Sequence, residues 1–352
     1  MISDRISAPA RESPITRHSS PVTSHAEPYR APPWLPGGHL QTIYASVVLP
    51  RAAHSYRRER WETPDGDFID LDWLDPQSQV SSSKLQGTPP LVAMFHGLEG
   101  SSRSHYALAL MSLVAKRGMR GVVVNFRGCS GEPNRLARAY HSGDAPEIDW
   151  ILRRLRSRNT GAPLYSVGVS LGGNALLKWL GDSGEAAKSI IDAAVAVSAP
   201  LDLMVAGDAL GRGFNLVYTR NFLGTLKTKS AAKLARFPGL FDASAVQAAG
   251  TLREFDNLVT APLHGFRDTD DYWTRASSKP GLRSIRVPTL VINAKNDPFL
   301  PATALPRPDE VSAAVTLEQP DEGGHVGFVS GVFPGNFDWL PGRLLHFLRD
   351  GR

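Results

Sequence analysis

The chain has 352 residues, 42% of them hydrophobic, a size and composition that allow one large domain with an insertion. Its 39 lysines and arginines outnumber its 34 aspartates and glutamates by five, with no block of like charge typical of a nucleic-acid-binding tail. No segment has the roughly 18 apolar residues of a membrane span, the N-terminus lacks the regions of a secretory signal, and the single cysteine, Cys129, excludes an internal disulfide. We therefore expect a cytoplasmic protein without nucleic-acid partners.

The N-terminal segments lack regular apolar spacing. Residues 1–30 are rich in serine, proline and arginine, which predicts a disordered leader. Residues 31–56 are apolar but irregular, and we expect them to wrap over the folded domain. Regular alternation begins at 57–75, on both sides of Pro64-Asp65-Gly66, and this pattern predicts an antiparallel hairpin.

From residue 91 onward, apolar runs of strand length alternate with helical patterns. The predicted strands are 91–97, 121–128, 162–170, 192–200, 286–294 and 313–319. The predicted helices are 104–118, 143–158, 171–182 and 337–350. Asp144, followed three residues later by Glu147, indicates a capping pair at the start of the second of these helices. Buried strands that alternate with helices predict an α/β fold with a mostly parallel sheet covered by helices on both faces.

The alternation of strands and helices is interrupted at 201–283. This segment contains helical patterns, such as those at 229–237 and 244–259, but no run typical of a buried strand. An insertion of roughly 80 residues is too long for a plain loop. We predict that it folds as a helical cap inserted late in the sheet, with 31–200 and 284–352 forming the core.

A glycine-flanked serine stands at the end of the third strand of this series. Gly168-Val169-Ser170-Leu171-Gly172 is a G-x-S-x-G sequence where a strand ends and a helix begins, the context of a nucleophile elbow. In so sharp a turn side chains at 168 and 172 would clash, so both positions require glycine. The turn would raise the Ser170 hydroxyl above the sheet and direct the Leu171 N–H toward the group under attack. The alternative is a glycine-rich turn with a capping serine.

A serine nucleophile needs a base that a third group holds in orientation. In folds with an elbow, the acid and the histidine follow the serine in that order. Asp297 lies just beyond the fifth strand of the series, and His325 lies in a glycine-containing turn after the sixth. We therefore predict Ser170, Asp297 and His325 as the catalytic residues. Asp202, which follows the fourth strand, is the alternative acid.

The segment FHGLEGSS also lies between a strand and a helix, where a second oxyanion donor is usually found. The N–H of Leu98 is our candidate for this donor, and we expect His96 to shape the loop. Cys129 has no partners suited to a nucleophile in the sequence, which favours a packing role. No residue spacing suits a metal ion, and no glycine motif suits a dinucleotide or a phosphate, so we expect chemistry without a cofactor.

Six segments carry a resemblance to a known family. In chain order they are PPWLPGGHLQTIY, FHGLEGSSRSHY, VNFRGCSGEPNR, YSVGVSLGGNALLKWL, NAKNDPFLP and EGGHVGF. From about residue 32 to its end the chain resembles the YheT-like branch of the α/β-hydrolases, the AB hydrolase 4 family. The resemblance implies an α/β-hydrolase fold and carboxylesterase or lipase activity, with eukaryotic relatives acting on acylglycerols and phospholipids. It places the catalytic residues on Ser170, Asp297 and His325, and it does not fix a substrate.

These patterns predict a serine hydrolase that transfers the acyl group of a small-molecule or lipid ester to water. An acyltransferase would use the same three residues with another acceptor, and a non-catalytic binding protein on the same fold is a further alternative. The cap carries Arg212, Arg220, Lys227 and Lys229 among apolar residues. This mixture suits either an acyl tunnel with a basic rim for an anionic or interfacial lipid, in peripheral contact with a membrane, or cap helices with a solvated basic face.

Overall fold

A computed structural model describes residues 28–51, 54–76 and 88–350 of the chain. Most of the leader predicted at 1–30 therefore lies outside the described residues. No helix in the described part of the chain combines the length and the apolar composition that crossing a membrane requires.

Eight strands form one sheet. Their bounds are Arg57–Glu62 (β1), Phe68–Leu74 (β2), Leu91–Phe95 (β3), Arg120–Asn125 (β4), Leu164–Val169 (β5), Ala193–Val197 (β6), Thr289–Ile292 (β7) and Val315–Glu318 (β8). Their order across the sheet is β1-β2-β4-β3-β5-β6-β7-β8. β1 and β2 form the predicted antiparallel hairpin, and β2 pairs antiparallel with β4. The other neighbours pair in parallel, as the alternation of strands and helices predicted.

The helices of the described residues cover this sheet. Their bounds are Gly38–Val47 (α1), His105–Lys116 (α2), Ala145–Arg158 (α3), Leu171–Ser183 (α4), Leu203–Leu210 (α5), Leu216–Arg236 (α6), Ala243–Ala248 (α7), Leu252–Phe255 (α8), Ala261–Leu263 (α9), Thr269–Ala276 (α10) and Trp339–Asp350 (α11). A π-helical segment, Asp256–Thr260, joins α8 to α9. The apolar residues of α3 and α4 pack on one face of the sheet, and those of α2 and α11 pack on the other.

The central strands are buried because both faces of the sheet are covered. In β3, Leu91, Ala93 and Phe95 point into the apolar cluster under α3 and α4, whereas Val92 and Met94 point into the cluster under α2 and α11. Successive side chains of a strand face opposite sides, so a strand between two helical layers must be apolar at every position. The uninterrupted apolar runs of the sequence reflect this double coverage.

The chain between β6 and β7 is helical, as predicted, and contains α5 to α10. These helices share an apolar cluster of their own, which includes Leu210, Phe255 and Trp273 and also Phe299 from beyond β7. We propose that they form the cap predicted at 201–283. Their boundaries differ from the sequence patterns. The pattern at 229–237 belongs to the longer helix α6, and the pattern at 244–259 is broken between α7 and α8, where Thr251 begins a new helix with a capping box.

Two further details differ from the sequence predictions. The predicted capping pair at the start of α3 is wrong, because the carboxylate of Asp144 accepts a hydrogen bond from Arg138 and that of Glu147 accepts one from Arg127. The buried guanidinium of Arg127 and the partly buried one of Arg138 thus engage both carboxylates away from the helix terminus. In addition, part of the irregular segment 31–56 forms α1, a helix that the sequence pattern did not indicate.

Candidate active site

Ser170 occupies the turn between β5 and α4 with φ 53° and ψ −121°. A positive φ is uncommon for a residue other than glycine and persists only where the surrounding structure holds it. Here the Ser170 N–H donates to the carbonyl of Val197, at 2.8 Å, and the Ser170 carbonyl accepts from the N–H of Asn174, at 3.0 Å. The neighbouring strand and the first turn of α4 therefore fix the strained residue.

The glycines on both sides of Ser170 are required by close backbone contacts. A Cβ atom at Gly168 would lie 2.4 Å from the carbonyl oxygen of Gly172. A Cβ atom at Gly172 would lie 2.5 Å from the carbonyl oxygens of both Phe95 and His96. These distances are too short for any side chain, which confirms the predicted crowding and shows that α4 begins directly against the end of β3.

The structure brings Ser170, Asp297 and His325 together. The Nε2 atom of His325 lies 2.9 Å from the Oγ atom of Ser170, and its Nδ1 atom lies 2.9 Å from the Oδ2 atom of Asp297. The carboxylate of Asp297 is fully buried, and its other oxygen accepts the N–H of Phe299 at 2.8 Å. The ring of Phe299 stacks on the imidazole with its centroid 4.1 Å away. The imidazole is thus held at both nitrogens and on one face.

The loops that carry Asp297 and His325 are held by α1. The Thr42 hydroxyl accepts the N–H of His325 at 2.8 Å. The Gln41 Oε1 atom accepts both the N–H of Gly323, at 2.9 Å, and the side-chain amide of Asn296, at 3.0 Å. The sequence reasoning missed this role, although α1 lies in the WLPGGHLQT segment that carries much of the family resemblance. A hydroxyl and an amide that hold two distant loops leave no periodic signal in a sequence.

The alternative acid and the histidine of the oxyanion loop are engaged elsewhere. Asp202 is the N-cap of α5, where its side chain accepts the N–H of Val205, so it does not contact His325. His96 is fully buried, and its Nε2 atom accepts the N–H of Phe126 at 3.1 Å. Burial lowers the pKa of His96 to about 4, which keeps it neutral. As expected, His96 shapes its loop.

The loop after β3 lies directly against Ser170. A Cβ atom at Gly97 would lie 3.1 Å from the Cβ atom of Ser170, and both Leu98 and Leu171 line the same cavity as the serine. The N–H groups of Gly97 and Glu99 are taken by tyrosine hydroxyls, whereas those of Leu98 and Leu171 donate to no group among the described residues. Both predicted oxyanion donors therefore stay available beside the serine.

A cavity of about 420 Å³ extends from Ser170 and His325 under the helices between β6 and β7. This volume lies within the range of small-molecule sites. Its walls are mostly apolar and include Leu203, Ala206, Leu210, Phe255, Val259 and Trp273. Charged and polar side chains gather in another part of the lining, which includes Glu99, Arg127, Asn134, Lys229, Lys233 and Arg236. The cavity therefore has a long apolar wall and a polar wall.

The basic rim, one of the two alternatives for Arg212, Arg220, Lys227 and Lys229, would require these residues to surround the cavity. Of the four, only Lys229 lines the cavity, where its Nζ atom lies 2.8 Å from the carboxylate of Glu99. Sequence reasoning overlooked Lys233 and Arg236, which also line it. Both donate to oxygens of the loop at 134–138, and these bonds fasten α6 to the core. Lys229, Lys233 and Arg236 are therefore partnered groups, although Arg236 stays exposed and Lys229 and Lys233 are only partly buried.

Cys129 lies on the same polar side of the site. Its Sγ atom is 3.4 Å from the Nζ atom of Lys229. Burial raises the pKa of the thiol to about 11, although the nearby lysine acts in the opposite direction. A thiol that stays protonated at neutral pH is a poor nucleophile. The packing role favoured from the sequence agrees with this environment.

Known proteins resemble this chain in both sequence and structure. A sequence model described as the α/β hydrolase fold matches residues 90–332. The YheT protein of Escherichia coli (strain K12) is 41% identical over 312 residues, which are 88% of this chain and 89% of YheT. Phospholipase ABHD3 of Mus musculus is 32% identical over 310 residues, 88% of this chain and 75% of that protein. Among solved structures, the Pyrococcus furiosus esterase Pf2001 has a TM-score of 0.52 at 17% identity and covers 86% of this chain and 98% of its own. These matches confirm the predicted fold class.

Proposed function

This chain belongs to the α/β hydrolase fold family, as its resemblance indicated, and we propose that it is a serine esterase that cleaves carboxylic esters through an acyl-enzyme. The observation that carries the proposal is the continuous chain of hydrogen bonds from Ser170 through His325 to the buried carboxylate of Asp297. A nucleophile, a base and an orienting acid in contact are the arrangement that activates a serine hydroxyl.

Acylation follows from these contacts. The Ser170 Oγ atom attacks the ester carbonyl carbon while its proton moves to the Nε2 atom of His325. Asp297 holds the Nδ1–H of the imidazole and stabilises the imidazolium that forms. The N–H groups of Leu98 and Leu171 donate to the carbonyl oxygen as it becomes negative. When the tetrahedral intermediate collapses, the proton on His325 passes to the departing alcohol and the acyl group stays on Ser170.

Deacylation repeats these steps with water. His325 takes a proton from a water molecule whose oxygen attacks the acyl carbon, and the same N–H groups hold the second oxyanion. Collapse releases the carboxylic acid and returns the proton from His325 to the Ser170 Oγ atom. Each group ends in its starting state, so this cycle needs no cofactor.

The cavity supports an ester with an apolar acyl chain as the substrate. Its apolar wall begins beside Ser170, where an acyl group would be attached, and continues under the cap helices. The relative from Mus musculus is named a phospholipase, and phospholipids are esters of this kind. We include in the proposal a cytoplasmic location, which rests on the single cysteine of the chain. Cell fractionation tests this location.

A series of p-nitrophenyl esters with increasing acyl length tests the proposed substrate class. We expect kcat/KM to rise about fourfold for each methylene added to the acetate, because each buried methylene contributes ~0.8 kcal/mol to the free energy of binding. The rise should end when the acyl chain covers the apolar wall. Ala206→Val narrows the cavity and should move the optimum to shorter chains. The control is Ala209→Val, on the same helix α5 but outside the cavity lining. An optimum at the acetate in the wild type would contradict an acyl-binding role for this wall.

The loop after β3, which carries the proposed oxyanion donor Leu98, contacts helix α6 through an ion pair between Glu99 and Lys229. This residue directly follows Leu98 and has a positive φ of 55°. The hydroxyl of Tyr140 accepts the Glu99 N–H and donates to its carboxylate, both at 2.8 Å. Burial acts to lower the pKa of Lys229, but the contact with the Glu99 carboxylate acts in the opposite direction and the pKa is raised. The ammonium of Lys229 thus stabilises Glu99 and, through it, the orientation of the Leu98 N–H.

Replacement of Lys229 by methionine should therefore lower kcat by about tenfold with little change in KM for a short soluble ester, because a displaced oxyanion donor stabilises the transition state less. Lys229→Arg keeps the charge and should recover part of the loss. The matched control is Lys227→Met, since this lysine of the same helix donates, within the described part of the chain, to the Gln247 carbonyl alone. Equal kinetics for the two methionine variants, or a change confined to KM, would contradict a positioning role.

A further inference from the structure

The large apolar side chains that the structure exposes are concentrated in three chain segments. Among the described residues, the large apolar side chains with at least half of their surface exposed are Leu40, Val47, Val48, Phe214, Val217, Val332 and Phe333. Leu40 and Val47 belong to α1, and Val48 directly follows it. Phe214 and Val217 flank the start of α6, and Val332 and Phe333 lie in the loop before α11. Single exposed apolar residues are ordinary, but a contiguous group marks an interaction surface.

Ring contacts join the three segments into one surface. The imidazole of His39 lies 4.7 Å from the ring of Phe214, and the indole of Trp34 lies 5.5 Å from the ring of Phe333 and 5.2 Å from that of Tyr44. Leu40, Tyr44, Val47 and Val48 follow the i, i+4, i+7, i+8 spacing of one helix face. The outer face of α1 thus connects the start of α6 to the loop before α11, and we name this surface the apolar face.

Arginines are the charged residues that the apolar face itself exposes. Residues 28–51, 209–241 and 323–337 contain no aspartate or glutamate, although Asp208, Asp242, Glu322 and Asp338 adjoin them. The exposed arginines are Arg30, Arg51, Arg220 and Arg212, the last of which lies 3.9 Å from the carboxylate of Asp208. Arg220 follows Val217 by three positions on α6, so the two share a face of that helix. Exposed apolar side chains next to arginines complement a lipid bilayer, whose apolar interior lies beneath negatively charged headgroups.

We propose that the apolar face docks on an anionic lipid bilayer. The side chains of Val332 and Phe333 protrude, with 86% and 71% of their surfaces exposed, which suits insertion below lipid headgroups. The arginines lie at the level of the headgroup phosphates. The face also adjoins the site, because Tyr218 of α6 contacts Phe299, whose ring stacks on His325. This inference goes beyond esterase activity and does not depend on it.

Vesicle flotation with the full chain tests this proposal, and Ser170→Ala serves as the parent so that no lipid is hydrolysed. We expect the parent to float with vesicles of phosphatidylcholine and phosphatidylglycerol, to float less with phosphatidylcholine alone, and to dissociate as salt is added. Phe333→Ser should lower the partition coefficient about tenfold, the effect of withdrawing one large apolar side chain from the lipid. Arg220→Gln should weaken binding to the anionic vesicles, whereas Arg117→Gln, an exposed arginine at the end of α2, should not.

Three outcomes would overturn the proposal. The first is a parent protein that does not float with anionic vesicles, and the second is a Phe333→Ser variant that floats as well as the parent. The third is a parent that sediments as a dimer and a Phe333→Ser variant that sediments as a monomer, which would make the face an interface between copies of this chain. Thermal unfolding of each variant reports that it is folded. Flotation needs no turnover, so failure of the esterase assay and failure of the docking proposal are separate results.

Discussion

Replacement of Ser170 by alanine is expected to reduce ester hydrolysis by about 10⁴-fold or more, because the proposed acyl-enzyme forms on the Ser170 hydroxyl, which alanine lacks. The alanine variant should keep the melting temperature of the wild type, since the turn is fixed by backbone hydrogen bonds to Val197 and Asn174 that the substitution does not touch. Initial rates with a p-nitrophenyl ester, together with thermal unfolding, measure both effects.

Ser166→Ala is the matched control for this experiment. Ser166 lies on the same strand, β5, is fully buried, and its hydroxyl has no hydrogen-bond partner among the described residues. Loss of its oxygen should therefore leave hydrolysis unchanged. Comparable rates for Ser170→Ala and the wild type would contradict a nucleophilic role for Ser170, and equal losses in both variants would point to damage of the strand.

The second large effect is expected for Asp297→Asn, which should lower kcat by about 10³- to 10⁴-fold with the fold preserved. The amide can donate to the Nδ1 atom of His325, which favours the tautomer whose Nε2 carries the proton and cannot accept one from serine. It also removes the negative charge that stabilises the imidazolium. Rates with one ester across a range of pH, and the melting temperature, provide the measurement.

Asp202→Asn separates the two candidate acids. This residue caps α5, and asparagine is also a good N-cap, so stability and hydrolysis should both stay close to those of the wild type. If Asp202→Asn lost activity while Asp297→Asn kept it, Asp202 would be the acid, despite the hydrogen bond between His325 and Asp297 in the structure.

The sequence predicted well those features that depend on repetition and on covalent neighbours. Buried strands such as β3 and β5 appear as uninterrupted apolar runs because helices cover both of their faces. The crowding at Gly168 and Gly172 follows from the sharp turn itself. Any chain that makes this turn around a serine needs residues without a side chain at those two positions. Asp297 and His325 could be located because parallel strands end at one edge of the sheet, where the loops after β7 and β8 meet the elbow.

Features that depend on long-range polar contacts could not be predicted in this way. Thr42 and Gln41 support the loops of His325 and Asp297, yet 255 to 283 residues separate them from their partners in these loops and no local pattern marks them. The spacing of Asp144 and Glu147 suggested a helix cap, but Arg138 and Arg127, which precede the helix in the chain, bind the two carboxylates instead. The role of Lys233 was not predicted for the same reason, because its partners are oxygens of Asn134 and Leu136, in another segment of the chain.

The most direct test of the account is to find which residue a fluorophosphonate probe modifies in the wild-type chain. The probe forms a covalent bond with an activated serine, and peptide mass spectrometry locates the adduct. We expect one adduct, on Ser170, that disappears when His325 is replaced by alanine, because the hydroxyl then has no base. An adduct on another residue, or complete inhibition of ester hydrolysis by the probe while Ser170 stays unmodified, would contradict the assignment of Ser170 as the nucleophile.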